Sequence, residues 1–423
     1  MPPRVAILQK IPFAIPFEVR VSMLQHLIAN DRVFHGSTDR LNALGHSQRL
    51  RVKIRRSFAA QDGFDRLAEV NLKGPLEIIM TDEFGQEEEA IDERGNFKEF
   101  FTLFFQQVLQ PHFGLWSQNE SGDFYPTTHA RGIEGAFLSY LYLAIQFLLC
   151  SVLPLTLDWY WFIGRMVGKA IYEGIMVEAR FAYFFLSKWL GRRCYFDDLF
   201  SLDPDLHRRL FTLKHTAENI EDLSLYFTIS TKEFEVTKWV DLIPNGREIA
   251  VTRENRLRYI DLSSRYRMNA QVKGQSEAFL RGLSQFLQPN WLKIFNQREL
   301  QMLIGGSFSP IDVDDLRRHT TYDGVYHNGH EMIISFWRVV NSFHPWQKHD
   351  LVHFVTSCSF SHVLGFKELV PNFSILDDGS EENRLPTADT CINRLKLPTY
   401  KSERQLREML LEAMTARAGF DSS

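Results

Sequence analysis

Between Ala136 and Leu157 the chain runs for 22 residues without a charged side chain. A stretch of that length and composition either crosses a bilayer as a helix or lies buried inside a large fold. A Gly164-x-x-x-Gly168 pattern follows, but Arg165 and Lys169, inside and beside it, argue against a pair of membrane helices. The chain also has 423 residues, more than one compact core accommodates, so two or three domains are expected. Its 35 phenylalanines imply large aromatic interiors.

Charge is nearly balanced, 48 basic against 52 acidic residues with no basic block, which excludes nucleic acid or an anionic membrane surface as the main partner. Cys150, Cys194, Cys358 and Cys391 lie far apart with no Cys-x-x-Cys pair. That pattern fits neither a zinc site nor a disulfide framework, and a reducing compartment suits it. The opening Met-Pro-Pro-Arg does not read as a signal peptide.

Periodicity predicts a helix carrying Phe17, Val21, Leu24 and Ile28, and strands over Arg51–Arg55 and Leu76–Met80. From about Asn96 a helix presents Phe97, Phe100, Phe101, Phe104 and Phe105 as an apolar stripe suited to a core. Helical patterns continue over Trp159–Trp189 and Tyr266–Leu287, with a strand signal at Leu225–Ile229 between them. Small residues at Gly305–Ser309 suggest a hinge. A last helix opens on a capping box, Ser402-x-x-Gln405, and Gly419 is placed to end it.

Chemistry concentrates near the end of the chain. In Arg384-Leu-Pro-Thr-Ala-Asp-Thr-Cys-Ile-Asn393 a proline-containing turn delivers Thr390-Cys391, and an apolar strand-like run over Ile392–Leu397 follows. A thiol on such a turn is aimed outward and suits a nucleophile better than a packing residue. A Cys-His protease would need a partnered imidazole. His353 and His362 precede Cys391, and nothing in the sequence pairs them with it.

The run resembles the active-site loop of the HECT ubiquitin ligases, Leu-Pro-x-x-x-Thr-Cys-x-Asn. Similar blocks recur in family order: Arg94–Phe101, Phe162–Gly174, Asp241–Asn255, Phe354–Ser359 and Leu364–Leu369. The opening segment and Thr356-Ser-Cys-Ser359 look most like the fungal proteasome-associated, chain-elongating (Hul-type) branch. The resemblance implies an α+β, bilobal fold. Residues 1–50 would be a helical extension and connector, and 51–304 a mostly helical N-lobe with a docking subdomain near 194–271. A hinge at 305–309 and a C-lobe over 310–423 would complete it.

It also implies an activity. Cys391 would take ubiquitin as a thioester from a charged conjugating enzyme and pass it to a lysine of a protein substrate or of ubiquitin, building chains for proteasomal degradation. Thr390 and Asn393 would shape the loop, and Phe420, fourth from the end, would position the lobes. Leu206, Leu210, Leu225 and Tyr259 would form the groove for the conjugating enzyme. No cofactor or metal is needed, because the energy arrives in the thioester. Ubiquitin, the conjugating enzyme, substrates and the proteasome are the implied partners, in cytoplasm or nucleus.

Three positions depart from the family pattern. Asp389 replaces the usual histidine or serine, and its carboxylate would orient or deprotonate the incoming amine, raise the thiol pKa, or be solvated. Phe360-Ser-His362 replaces an Arg-Pro-Pro-type run, and Thr216 an aromatic. The largest departure is an extra segment, Ile133 to Thr156, that contains most of the uncharged stretch. A single membrane span would put its two ends on opposite sides of the bilayer, which one folded lobe does not allow. An inserted hairpin or helix laid on the lobe, or a mis-predicted exon, is therefore favoured. Two alternatives follow from these departures: an adaptor that binds the conjugating enzyme but forms no thioester, and a membrane-anchored ligase.

Overall fold

A computed structural model describes residues 11–36, 50–74, 76–82, 84–87, 93–128, 149–216, 220–233, 236–306, 310–356, 364–381 and 384–420. In chain order the first elements are α1 (Phe17–Gly36), β1 (Leu50–Arg55), α2 (Ala59–Leu67), β2 (Leu76–Thr81), α3 (Glu93–Val108), β3 (Trp116–Gln118) and β4 (Phe124–Pro126). Then come α4 (Leu149–Glu173), α5 (Tyr183–Trp189), α6 (Pro204–His215), β5 (Thr228–Glu233), β6 (Val236–Asp241), α7 (Arg256–Arg265), α8 (Lys273–Leu283), α9 (Pro289–Leu292) and α10 (Gln297–Gly305). The last part holds α11 (Val313–Arg318), β7 (Thr321–Asp323), α12 (Glu331–Asn341), α13 (Pro345–Thr356), β8 (Ser374–Asp377), β9 (Thr387–Asp389), β10 (Arg394–Leu397) and α14 (Glu403–Phe420). Helices with small sheets make the fold α+β, as expected.

The described residues form two compact units, one from Met1–Ala14, Gln106–Tyr172 and Ala179–Gln301, the other from Ile15–Phe105, Glu173–Glu178 and Met302–Ser423. The first unit absorbs much of the aromatic content. Trp116, Phe181, Phe185, Trp189 and Phe279 cluster with ring centroids between 4.8 and 6.5 Å apart. Helix α4 buries Trp159, Tyr160, Phe162, Ile163, Met166 and Val167.

Where α4 crosses α8 the backbones touch. A Cβ on Gly282 would stand 1.9 Å from the Trp161 carbonyl oxygen, and one on Gly164 2.0 Å from that of Phe279. Gly164-x-x-x-Gly168 is therefore a close helix crossing inside a folded core. Most of the uncharged stretch lies outside the described residues, but its last part is the start of α4. No helix among the described residues is long and apolar enough to cross a membrane.

In the second unit β1 and β2 pair in parallel, Leu50 opposite Leu76 through Arg55 opposite Thr81. Helix α2 lies between them in sequence and meets the stripe of α3, since a Cβ on Gly63 would reach within 3.0 Å of the Phe100 ring. Phe100, Phe101, Phe104 and Phe105 are buried, as their spacing predicts. The C-terminal part carries a sheet in the order β7-β8-β10-β9, antiparallel only between β10 and β9. Its Ile375, Leu395 and Leu397 share one core with Phe336, Trp337, Leu351, Val355, Leu406 and Leu410 from α12, α13 and α14.

Several boundaries differ from the sequence reading. The strand signal at Leu225–Ile229 resolves into β5 from Thr228, because pairing with β6 fixes the ladder. The pattern over Tyr266–Leu287 is broken by a wide π turn, Tyr266–Ala270, ahead of α8. Ser402 does cap α14, its hydroxyl accepting from the Gln405 amide at 3.2 Å. Gly419 does not end that helix, which continues through Phe420. A glycine permits the left-handed stop without imposing it.

Candidate active site

Strands β9 and β10 pair with Arg394 opposite Asp389, leaving residues 390–393 as the connection. Thr390–Ile392 is a single 3-10 turn with Cys391 at its centre, and Asn393 closes it in the left-handed region at φ 52°. Asparagine is among the few residues that tolerate this conformation. Here Asn393 is also fully buried. Its Nδ2 donates to the Pro371 carbonyl at 2.6 Å, and its own carbonyl accepts from the Ser374 amide at 2.9 Å. The side chain expected to shape the turn is thus wired into its base.

On the other side of Cys391, Asp389 is neither solvated nor a free base. Both its oxygens meet Lys396 Nζ, at 3.1 and 3.0 Å. Half-buried Thr390 contributes its carbonyl, which accepts from the Asn393 amide at 3.4 Å. One participant was missed in the sequence. Lys98, on α3, donates at 2.7 Å to Asn393 Oδ1 and at 2.7 Å to the Thr356 carbonyl at the end of α13. Lys98 lies inside the quoted Arg94–Phe101 block, but a partner 295 positions away leaves no local signal.

Residues 102–423 match the HECT-domain (ubiquitin-transferase) family. The chain belongs to that family. It is 42% identical over 424 residues to a probable E3 ubiquitin protein ligase of Schizosaccharomyces pombe, and 38% over 425 to the E3 ubiquitin-protein ligase UPL6 of Arabidopsis thaliana. The E3 ubiquitin-protein ligase HUL5 of Saccharomyces cerevisiae is 36% identical over 436 residues. The three alignments cover 100, 99 and 99% of this chain and 39, 39 and 45% of the relatives. The chain thus spans about two fifths of the length of the curated relatives it matches.

In this HECT chain the expected docking residues lie on α6, α7 and the segment before β5. Asp203 caps α6 by accepting from the Leu206 amide at 2.8 Å, with Pro204 at the first position. Leu206, Leu225 and Tyr259 are half-buried. Tyr259 rests edge-on against Phe227, and burial raises its hydroxyl pKa. Leu210, on α6 with Leu206, is buried at 4% exposure, as are Leu213, Ile220, Phe227 and Ile260 in the same region. Exposed apolar residues of the same region include Phe211, Leu223, Tyr226, Trp239, Ile249 and Leu257.

Cys194 fits the description of a packing cysteine. It is buried, donates to the Phe184 carbonyl at 3.3 Å, and its thiol pKa is pushed up by burial to about 11. Cys358 and the Phe360–His362 departure lie outside the described residues, as do Ser307–Ser309 of the expected hinge. His353 faces Glu178 at 3.8 Å. Among the described residues no group of His, Cys, Asp and Glu could hold a metal ion.

Proposed function

We propose that this chain is the catalytic part of a HECT-type ubiquitin ligase with Cys391 as its nucleophile. The observation that carries the reading is the turn itself. Cys391 sits at the apex of a one-turn connection whose closing residue, Asn393, is buried and hydrogen-bonded on every side. A buried, hydrogen-bonded closing residue fixes the backbone of so short a turn, and with it the place of its central residue.

In the first half-reaction the Cys391 thiolate attacks the carbonyl carbon of the conjugating enzyme's ubiquitin thioester. The conjugating enzyme's sulfur leaves as thiolate. In the second, a neutral lysine amine attacks the new thioester, Cys391 leaves as thiolate, and the amide nitrogen gives up one proton. Two thioester-level steps replace one slow direct transfer. Asp389, engaged by Lys396, shapes β9–β10 rather than taking that proton. Phe420, on the last turn of α14, is assigned to lobe positioning. The docking surface is assigned to Leu206, Leu225 and Tyr259 together with exposed Phe211, Trp239 and Leu257. Ubiquitin, a conjugating enzyme, protein substrates and the proteasome are the partners of this reading, with cytoplasm or nucleus as its place.

A single-turnover assay with charged conjugating enzyme tests it on non-reducing gels. Wild type is expected to form a ubiquitin adduct that reducing agent removes. Cys391→Ala abolishes the adduct, and Cys391→Ser gives a stable ester. A chain that binds the conjugating enzyme without any adduct would instead be an adaptor.

A further inference from the structure

We propose that Lys98 is a positioning residue: its ammonium clasps the cysteine turn to helix α3, and the clasp must open for ubiquitin to be loaded. The inference rests on the reading of Cys391 as nucleophile. Three contacts define the clasp. Lys98 Nζ lies 2.7 Å from Asn393 Oδ1, 2.7 Å from the Thr356 carbonyl and 3.5 Å from the Thr390 carbonyl. Two of these acceptors, on residues 390 and 393, bracket Cys391, so the clasp grips the turn from both sides of the nucleophile.

The setting makes these bonds strong. Thr356 and Asn393 both have 0% exposure, so water does not readily take the lysine's place. Charge-assisted bonds to shielded acceptors are about twice as strong as neutral ones. The Thr356 carbonyl also ends α13, where the last carbonyls lack intrahelical partners and the helix dipole favours a cation. Lys98 itself cannot drift, because α3 is anchored by buried Phe100, Phe101, Phe104 and Phe105.

The reaction asks this cysteine to meet first the conjugating enzyme and then an acceptor amine. A turn tied to a fixed helix meets both only by letting go.

The first test reads the clasp without altering it. Cys391→Ser protein is loaded to its stable ubiquitin ester, labelled briefly with acetic anhydride, and Lys98 is read by mass spectrometry against exposed Lys401. Loading is expected to raise Lys98 acetylation about fivefold over unloaded protein. Equal labelling in the two states overturns the proposal. The second test compares loading rates of wild type, Lys98→Arg and Lys98→Met. The methionine variant, lacking the charge, is expected to load about threefold faster, while arginine stays close to wild type. A folded Lys98→Met that loads no faster than wild type overturns the clasp, and if that variant fails to fold the labelling result decides. Absence of any wild-type adduct is a different failure: it removes Cys391 as nucleophile and the clasp with it.

Discussion

At the scale of single residues, the site divides into what a short motif encodes and what only the fold brings together. The turn that carries Thr390, Cys391 and Asn393 was legible because nine consecutive residues encode it, and a left-handed asparagine is a local requirement. Lys98 was not, since its partners are hundreds of positions away. The burial of Leu210 was illegible for a related reason: spacing shows which side chains share a helix face, not which face the rest of the protein covers.

The two kinds of cysteine can be separated chemically. Burial is the main cause of the raised Cys194 pKa, with nearby Lys188 opposing it, so the thiol stays neutral and unreactive through neutral pH. The sign follows: above the ordinary thiol value of 9.0 the unfolded chain loses this proton first, so alkaline conditions erode stability until pH passes about 11. At pH 8, Cys194 in the native chain is expected to resist iodoacetamide and to react readily in urea. Equal labelling rates in the two conditions would show that the thiol is not shielded.

Among the elements, the crossing of α4 over α8 is the tightest constraint. Gly282→Ala would place a methyl carbon against the Trp161 carbonyl, and no rotamer change relieves a clash between a Cβ and backbone. The two helices would have to separate, with a stability loss of about 1–3 kcal/mol or more. Urea denaturation should show the midpoint falling, and an unchanged midpoint would mean that the helices are not in contact. An exposed glycine such as Gly85, with nothing near its Cβ position, is a poor control because of its positive φ; Gly74 is the better one. The crossing was visible in sequence only as two small residues four apart. Their partner helix and its place inside a folded core came from packing. Element ends were the least legible, as Gly419 and the late start of β5 illustrate, because pairing and continuation are settled by neighbours rather than by the residue at the boundary.

For the whole molecule, composition and length gave sound bounds, large aromatic interiors and more than one compact unit, while the mix of helices and small sheets came from the family resemblance. The family blocks suggested the proposed reaction. In that proposal the energy of transfer is carried by the incoming thioester, so ubiquitin adduct formation from pre-charged conjugating enzyme is expected to proceed unchanged in excess chelator and without ATP. Loss of the adduct on adding EDTA, measured in the same single-turnover gel, would reveal an unrecognised metal requirement.

Both units are discontinuous along the chain, and in one of them Ile15–Phe105 belongs with Glu173–Glu178 and Met302–Ser423. During synthesis at about 5–20 residues per second, the ribosome adds the whole stretch Gln106–Gln301 before Met302–Ser423 begins to emerge, a delay of roughly 10–40 s. Helix α3, with its phenylalanine stripe and Lys98, is made early and waits for the Thr390–Asn393 turn that Lys98 meets. The nascent chain in that interval carries half a domain, and it is there that chaperones would find their longest opportunity to bind.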